Sequence, residues 1–301
     1  MRTAAVVPAW NGERWLPGCL RALAAQTRPF DEVVVVDNGS ADRSVAIARE
    51  HGARVVALGR NTGFAFAANR GIETAGAEAV ALVNTDVELA PDWLERTLPR
   101  LAADGIGSVA TKMVDLEDRT RLYDAGDVLR RDGVCEQLGR FTADDGRFDT
   151  AGEVFAACAG AGLYRREAVL AVGGFDERFF AYLEDVDLGL RLQRAGWRCG
   201  YEPAIAAHAS GGSSWQLERP VPGWVARNTL LLVAKAFPLR WAPLVLYRQA
   251  GWLYHAARER RLRAWLRGLA AALPLLPAMW RERGPSPVPI DVVVPKRPIR
   301  W

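Results

Sequence analysis

Four short apolar runs, each followed by a polar turn and a stretch of helical periodicity, fill the first hundred residues and leave few folds open. The second run, residues 32–37 (EVVVVD), constrains most: an uninterrupted β-branched run belongs to a strand covered on both faces, as in a parallel sheet. Thr3 to Val7 is a buried strand that stops at Pro8, Arg54 to Leu58 a third, and Ala79 to Val83 a fourth that ends at Asn84-Thr85-Asp86. Between them the spacing predicts helices over Trp15–Ala25, up to about His51, over Phe64–Ala75 and over Pro91–Ala103. Leu16, Cys19, Leu20 and Leu23 share one face of the first, and Ser40 or Asp42 is placed to cap the second. The expectation is an α/β fold with a doubly wound, mainly parallel sheet.

In such sheets ligands bind outside the carboxyl ends of the strands. Here those ends carry Pro8 to Asn11, Asp37 to Ser40, Asn61 to Gly63 and Asn84 to Asp86. Each has a plain alternative as a turn, a loop or a cap; their shared location on one sheet edge favours a site. No GxGxxG follows the first strand and no GxxxxGK[ST] occurs, so neither a dinucleotide fingerprint nor a phosphate loop is present. Asp86, at the tip of a buried strand, is placed to hold a hard divalent cation, Mg²⁺ or Mn²⁺, that also contacts a diphosphate.

Further on, Phe175 to Arg191 (FDERFFAYLEDVDLGLR) interleaves Asp176, Glu177, Glu184, Asp185 and Asp187 with Phe175, Phe179, Phe180, Tyr182 and Leu183. After Glu184 the pattern is a helix with one buried face, and acids in its first turn would suit the helix dipole. Carboxylates beside an aromatic wall also make a general base, and the stretch reads as an acceptor-activating site. Just upstream, Gly160 and Gly162 would let backbone approach a ligand, or would simply form a tight turn.

The net charge of +4 conceals an asymmetry: residues 1–218 carry 24 Lys and Arg against 32 Asp and Glu, and residues 219–301 carry 15 against 3. Six of the 11 Trp lie in that basic tail. NTLLLVAKAF (228–237) is a helical run ended by Pro238, and a second run from Trp241 to about Leu273 contains Arg258, Arg261, Arg263 and Arg267 beside Leu262, Trp265, Leu266 and Leu269. That is an amphipathic basic pattern suited to a membrane interface, or to packing on the core with a solvated face. The longest charge-free apolar stretch, Gly268 to Trp280, is 13 residues, short of the ~20 needed to span a bilayer. Residues 115–150 read as a small hairpin and turns, a surface insertion or a flap over the acceptor, and the Pro-rich end reads as extended. Cys19, Cys135, Cys158 and Cys199 form no CxxC, so neither zinc nor disulfides are indicated and a reducing cytoplasm fits; the short apolar run before Pro8 is no signal-peptide core. No recognised nucleic-acid module accompanies the basic tail.

The ordered set VVPAWNG (6–12), QT (26–27), EVVVVDNGSAD (32–42), NTGFAFAANRGI (61–72), LVNTDVEL (82–89), GGFDERFFAYLEDVDLGLR (173–191) and HASGGSS (208–214) resembles family 2 inverting glycosyltransferases, most closely the bacterial rhamnosyltransferase-like branch. The resemblance implies a GT-A catalytic domain over 1–215, with a nucleotide-sugar half to about 112 and an acceptor half after it, followed by a basic helical extension over 216–301. It implies that Pro8, Ala9, Asn11, Asp37 and Asn38 surround the nucleoside, and that Asn61, Gly63, Phe64 and Asn69 line the sugar and diphosphate side. Asn84-Thr85-Asp86 stands at the family's DxD triplet, with Asn in the first position and Asp86 as metal ligand; His208 matches a histidine that in some relatives is a second ligand. Glu184-Asp185 corresponds to the family's ED pair, with Asp185 the base, and Gly160, Gly162 and Tyr182 fall on the acceptor side. The implied reaction is a metal-assisted single displacement from a dTDP- or UDP-sugar, rhamnose favoured, to a glycan or polyprenyl-diphosphate-linked acceptor. The implied place is the cytoplasmic face of the membrane, through peripheral contact. A sugar nucleotidyltransferase would show a Gly- and basic-rich loop where PAWNGERW stands, and a non-catalytic sugar-binding protein would have little need of both Asp86 and Glu184-Asp185.

Overall fold

The computed structural model describes residues 1–209 and 221–284. The chain begins β1 (Thr3–Ala9), α1 (Leu16–Ala24), β2 (Glu32–Asp37), α2 (Ser44–Glu50), β3 (Arg54–Ala57), α3 (Phe64–Thr74) and β4 (Ala79–Val83). It continues through β5 (Val87–Leu89), α4 (Trp93–Ala102), β6 (Ile106–Asp115), β7 (Leu122–Asp124), β8 (Asp127–Leu129), β9 (Cys135–Gln137) and β10 (Gly152–Val154). Then come β11 (Ala161–Arg165), α5 (Arg166–Ala171), α6 (Glu184–Arg194) and β12 (Arg198–His208). Helices α7 (Val221–Ala236), α8 (Ala242–Arg258), α9 (Leu262–Ala272) and α10 (Leu276–Arg281) complete the described residues.

The main sheet runs β10-β12-β6-β11-β4-β1-β2-β3. Strands β3, β2, β1 and β4 are mutually parallel, as the first-half pattern predicts. Val34, Val35 and Val36 are fully buried between helical layers, the environment that selects such a run. Gly71 of α3 sits so close to β1 that a Cβ there would come 2.1 Å from Val6 Cγ1. The second half departs from simple winding: β11 lies antiparallel between β4 and β6, and β5 and β7 add antiparallel edges to β12 and β6. Strands β8 and β9 form a separate hairpin inside the stretch read as a hairpin and turns.

Asp42 Oδ1 accepts from Ser44 N (3.0 Å) at the first residue of α2, the capping role expected of it, whereas Ser40 plays no such part. Ser40 Oγ instead accepts from Asn11 N (3.0 Å), and Asp42 Oδ2 accepts from Glu13 N (2.9 Å), so the turn after β2 ties down the loop after β1.

The basic extension packs on the acidic stretch. Phe179, Val186, Leu190, Leu231, Leu232 and Phe237 share one core. Lys235 of α7 is buried, with Nζ 2.8 Å from both Asp176 Oδ2 and Asp187 Oδ1, and Arg191 Nε lies 2.7 Å from Asp187 Oδ2. Buried charges of this kind persist only when paired. The single helical run expected from Trp241 to Leu273 is broken after α8, where Arg260 takes φ 58°. Part of the apolar side of α9 is packed: Trp265 stacks edge-on to Trp252 (5.5 Å), and Gly268 abuts Gly223 of α7. Large apolar side chains stay exposed at Leu266 on α9 and at Leu246, Tyr247 and Tyr254 on α8. Among the described residues no helix is long and apolar enough to cross a membrane.

Candidate active site

A cleft of about 800 Å³ opens at the carboxyl ends of β1, β2 and β4 and reaches across to the start of α6. One wall comes from the strand ends and the start of α3, with Pro8, Ala9, Trp10, Asn38, Asn61, Gly63, Phe64, Asn84 and Thr85. Gly160 lies beside Asn84, whose N donates to Gly160 O (2.9 Å); Phe180 to Val186 and His208 complete this part of the lining.

Asn38 builds the loop beneath it. Its Nδ2 donates to Gly63 O (3.1 Å) and Asn61 Oδ1 (3.3 Å), and its Oδ1 accepts from Thr62 N and Thr62 Oγ1 (both 2.8 Å). Gly63 takes φ 89°, and a Cβ there would meet the Phe180 ring at 2.5 Å, so position 63 admits only glycine. Asn11 and Asp37 stand behind this wall: Asn11 Oδ1 accepts from Ala41 N (2.8 Å), and Asp37 Oδ1 accepts from Ser40 N (3.2 Å).

Two expected lining residues lie elsewhere. Asn69 is buried on α3, where its Nδ2 donates to Phe175 O (2.9 Å) and its Oδ1 accepts from Phe175 N (2.7 Å). It clamps the start of the acidic stretch rather than facing a sugar. Gly162 is a buried residue of β11 paired with Leu82, with the Tyr164 ring and Cys158 O where a side chain would start. It is there because the sheet leaves no room, whereas Gly160 does line the cleft.

Asp86 and His208 meet through topology. β5 pairs antiparallel with β12 in the register Val87↔His208, which sets Asp86 Oδ2 3.6 Å from His208 Nε2. Both are buried, and Tyr123 stacks on the imidazole at 4.0 Å. His208 Nδ1 has no hydrogen-bond partner among the described residues. Burial holds His208 below its ordinary pKa against the opposing pull of Asp86, so the ring is in its neutral, ligating form. A carboxylate oxygen facing an imidazole nitrogen fits a divalent cation.

The five carboxylates of the acidic stretch divide. Asp176 and Asp187 are taken up by Lys235 and by Arg178 or Arg191, and Glu177 accepts from Asn69. Glu184 and Asp185 face the cleft. Asp185 Oδ2 accepts from Ala159 N (3.2 Å) and Oδ1 from Val186 N (2.9 Å). Burial raises its pKa and these two N–H groups oppose the rise. Glu184 is raised further by burial and by the Asp185 charge, and its Oε2 has no partner among the described residues. The loop that delivers the pair is strained, with Phe180, Tyr182 and Leu183 at φ 65°, 71° and 67°. The fully buried Asn228 of α7 holds it: Nδ2 lies 2.9, 2.8 and 2.7 Å from Phe179 O, Ala181 O and Tyr182 O.

A third side of the cleft is made by Tyr123, Asp127, Cys135, Gln137, Arg140, Phe141 and Cys158, mostly from the stretch 115–150, which reads from sequence as a surface insertion or a flap over the acceptor but whose lining residues the sequence did not single out. The available signal was the acid-aromatic string YDAGD (123–127). Donor atoms of Asp124, Asp127 and Cys158 come within 4.8 Å of one another. Burial pushes Asp124 up to about 7 and Asp127 well above the usual carboxylate range.

The family model for Glycosyl transferase family 2 matches residues 4–173. The chain is 31% identical to N-acetylglucosaminyl-diphospho-decaprenol L-rhamnosyltransferase of Mycobacterium tuberculosis over 235 residues, which is 64% of this chain and 72% of that protein. It is 30% identical to the pre-mycofactocin glycosyltransferase of the same organism over 75% of this chain and 47% of that one. Among solved structures it is similar to GalNAc-T7 with UDP, GalNAc and Mn²⁺, with a TM-score of 0.64 at 14% identity over 78% of this chain and 48% of that chain. It is similar also to the mannosyltransferase PcManGT from Pyrobaculum calidifontis with GDP-Man and Mn²⁺, at 0.58 and 19% over 93% and 78%. At such identities these two speak for the fold.

Proposed function

This chain belongs to glycosyl transferase family 2, and on that premise we propose that it moves one sugar, L-rhamnose favoured, from a dTDP or UDP carrier to a hydroxyl of a lipid-diphosphate-linked saccharide. The step inverts the anomeric carbon and serves cell-surface polysaccharide assembly. The observation that carries the reading is Asp185, in the first turn of α6, sharing one cleft with the strand-end residues Asn38, Asn61 and Asn84. Support for the substrates comes from a relative named for rhamnosyl transfer to a lipid-linked N-acetylglucosamine and from similar structures holding UDP or GDP-Man with Mn²⁺.

The strand-end wall binds the nucleotide sugar, and the acidic wall receives the acceptor. Asp185 takes the proton of the acceptor hydroxyl as its oxygen attacks the anomeric carbon on the face opposite the leaving diphosphate. Glu184, kept neutral by burial and by the charge of its neighbour, donates a hydrogen bond into the cleft while Asp185 stays ionised. Trp10, Phe180 and Tyr182 keep water from the reacting oxygen. Asp86 and His208 would hold a divalent cation, which when bound supplies positive charge against the departing diphosphate.

A melting panel tests this with dTDP-rhamnose, UDP-N-acetylglucosamine and nucleoside triphosphates, each with Mn²⁺ or EDTA. One diphosphate sugar at about a hundred times its Kd should raise Tm by roughly 5–10 °C with Mn²⁺ and hardly at all with EDTA. Transfer from that donor to undecyl-diphospho-N-acetylglucosamine, a short-chain acceptor, should follow. A rise with triphosphates alone would mean nucleotidyl transfer instead.

Membrane contact fits α8, where Leu246, Tyr247 and Tyr254 are exposed and Arg258 follows. Apolar side chains flanked by Arg match an anionic leaflet. Leu246→Asp with Tyr247→Asp should weaken co-sedimentation with phosphatidylglycerol vesicles about tenfold or more, with Tm unchanged because both side chains are exposed. Equal sedimentation of variant and wild type would remove α8 from that role.

A further inference from the structure

Asp127 begins β8 and lines the cleft while only 5% exposed, and its Oδ2 has no hydrogen-bond partner among the described residues. A buried, unsatisfied carboxyl oxygen is rare enough to need a reason. Its position is fixed: Asp127 N donates to Ala156 O (3.0 Å) and Ala156 N to Asp127 O (3.3 Å), three residues before the Ala159 N–H that holds Asp185. The carboxyl therefore lines the same cleft as Asp185, tied to it through the backbone of residues 156–159.

The surroundings indicate what it meets. Beside it, Gln137 lines the cleft with an amide, and Tyr123 and Phe141 offer aromatic rings, the latter 63% exposed. The Arg140 guanidinium lies 5.1 Å from the Tyr123 ring centre and 4.8 Å from that of Phe141, and it donates to Gln137 Oε1. A sugar has one face of C–H groups and a rim of hydroxyls; rings answer the first, and a carboxyl with an amide answers the second. A cation is the weaker fit, because Asp124 Oδ1 already accepts from Gly126 N (2.8 Å) and a guanidinium stands nearby.

We propose that Asp127 is a specificity-determining residue of the acceptor site: its carboxyl hydrogen-bonds a second hydroxyl of the acceptor sugar, while the exposed Phe141 takes the apolar face of the ring. The proposal rests on the glycosyl-transfer reading of the cleft. Burial raises the Asp127 carboxyl well above the usual carboxylate range, so it can donate to a hydroxyl oxygen; an Asn in its place retains a donor.

The test uses the full chain with Mn²⁺, its donor, undecyl-diphospho-N-acetylglucosamine and analogues of that acceptor with single ring hydroxyls replaced by hydrogen. Asp127→Ala should lower kcat/KM for the acceptor about ten- to a hundredfold, mostly through KM, with an unchanged donor-induced Tm shift. Asp127→Asn should restore most of it. Deleting one hydroxyl other than the attacked one should cost wild type a similar factor and cost Asp127→Ala nothing more. Phe141→Ala, at an exposed side chain that folding does not need, should raise acceptor KM roughly three- to tenfold. An unchanged acceptor KM in both alanine variants, beside a normal donor shift, would sink this proposal alone. No donor shift in wild type would sink the glycosyl-transfer reading and this proposal with it. A Mn²⁺-induced Tm shift that survives Asp86→Ala but not Asp127→Ala would give the acids to a cation and overturn the proposal.

Discussion

Replacing Asp185 by Asn is expected to lower kcat about 10²–10⁴-fold while leaving the donor-induced rise in Tm in place. The group lost is the proton acceptor, and the cleft wall that binds the nucleotide sugar is made by other residues. Asp185 accepts from two backbone N–H groups, whereas Asn can accept from one and presents its amide to the other, so Asp185→Ala should be measured beside it. The pH profile gives a second readout. A base must be ionised to act, and burial raises the pKa of Asp185, so activity should fall as pH drops through a value above the ordinary ~3.9 of an aspartate. The acid limb of kcat/KM in the free enzyme should sit there, and should vanish in the Asn variant. Near-normal turnover in Asp185→Asn would make the base assignment wrong.

Asn228→Ala should be the most damaging change outside the cleft. Three backbone carbonyls, of Phe179, Ala181 and Tyr182, converge on one amide nitrogen. Left-handed Phe180, Tyr182 and Leu183 each cost roughly 1–2 kcal/mol, and such a loop persists only where its surroundings over-determine it. Losing the donor should destabilise the protein by about 2–4 kcal/mol in urea unfolding, and turnover should fall because the loop delivers Glu184 and Asp185. Arg227, which also donates to Arg178 O and Phe179 O, is half-buried, so Arg227→Ala should cost less. An Asn228→Ala protein as stable as wild type would show that the carbonyls find other donors.

The first half of the fold was legible because its strands advertise themselves. Val34 to Val36 and Ala79 to Val83 are apolar without interruption, and they stop at polar turns. β6 and β12 escaped notice because polar residues break their runs. Lys112 lies inside a central strand and is buried; its partners, Asp144 and Asp149, sit in a loop more than thirty residues on. No local window contains that pairing. At the site, residue types were easier to read than directions. Asn38, Asn61 and Glu184-Asp185 do reach the cleft, but Asn69 turns inward to Phe175, which helical spacing alone does not reveal. Residues 115–150 are polar and read equally as a surface insertion or a flap over the acceptor; their side chains do line the cleft, and polarity alone could not choose between the two.

Phe180 touches both substrate walls: its ring fills the space beside Gly63, and its carbonyl accepts from Ala65 N (3.2 Å) at the start of α3. This bears on anyone who would exchange halves between related enzymes. A donor half grafted from a relative must bring a glycine at 63 and a helix start that leaves its amide free for residue 180. A graft chosen only for its nucleotide contacts would jam against that phenylalanine and tilt the acidic loop, so the transplant would bind its new sugar and fail to deliver it. Selecting for a new donor in this scaffold therefore means co-varying positions 63 and 180 as one unit, although they lie on opposite sides of any sensible seam.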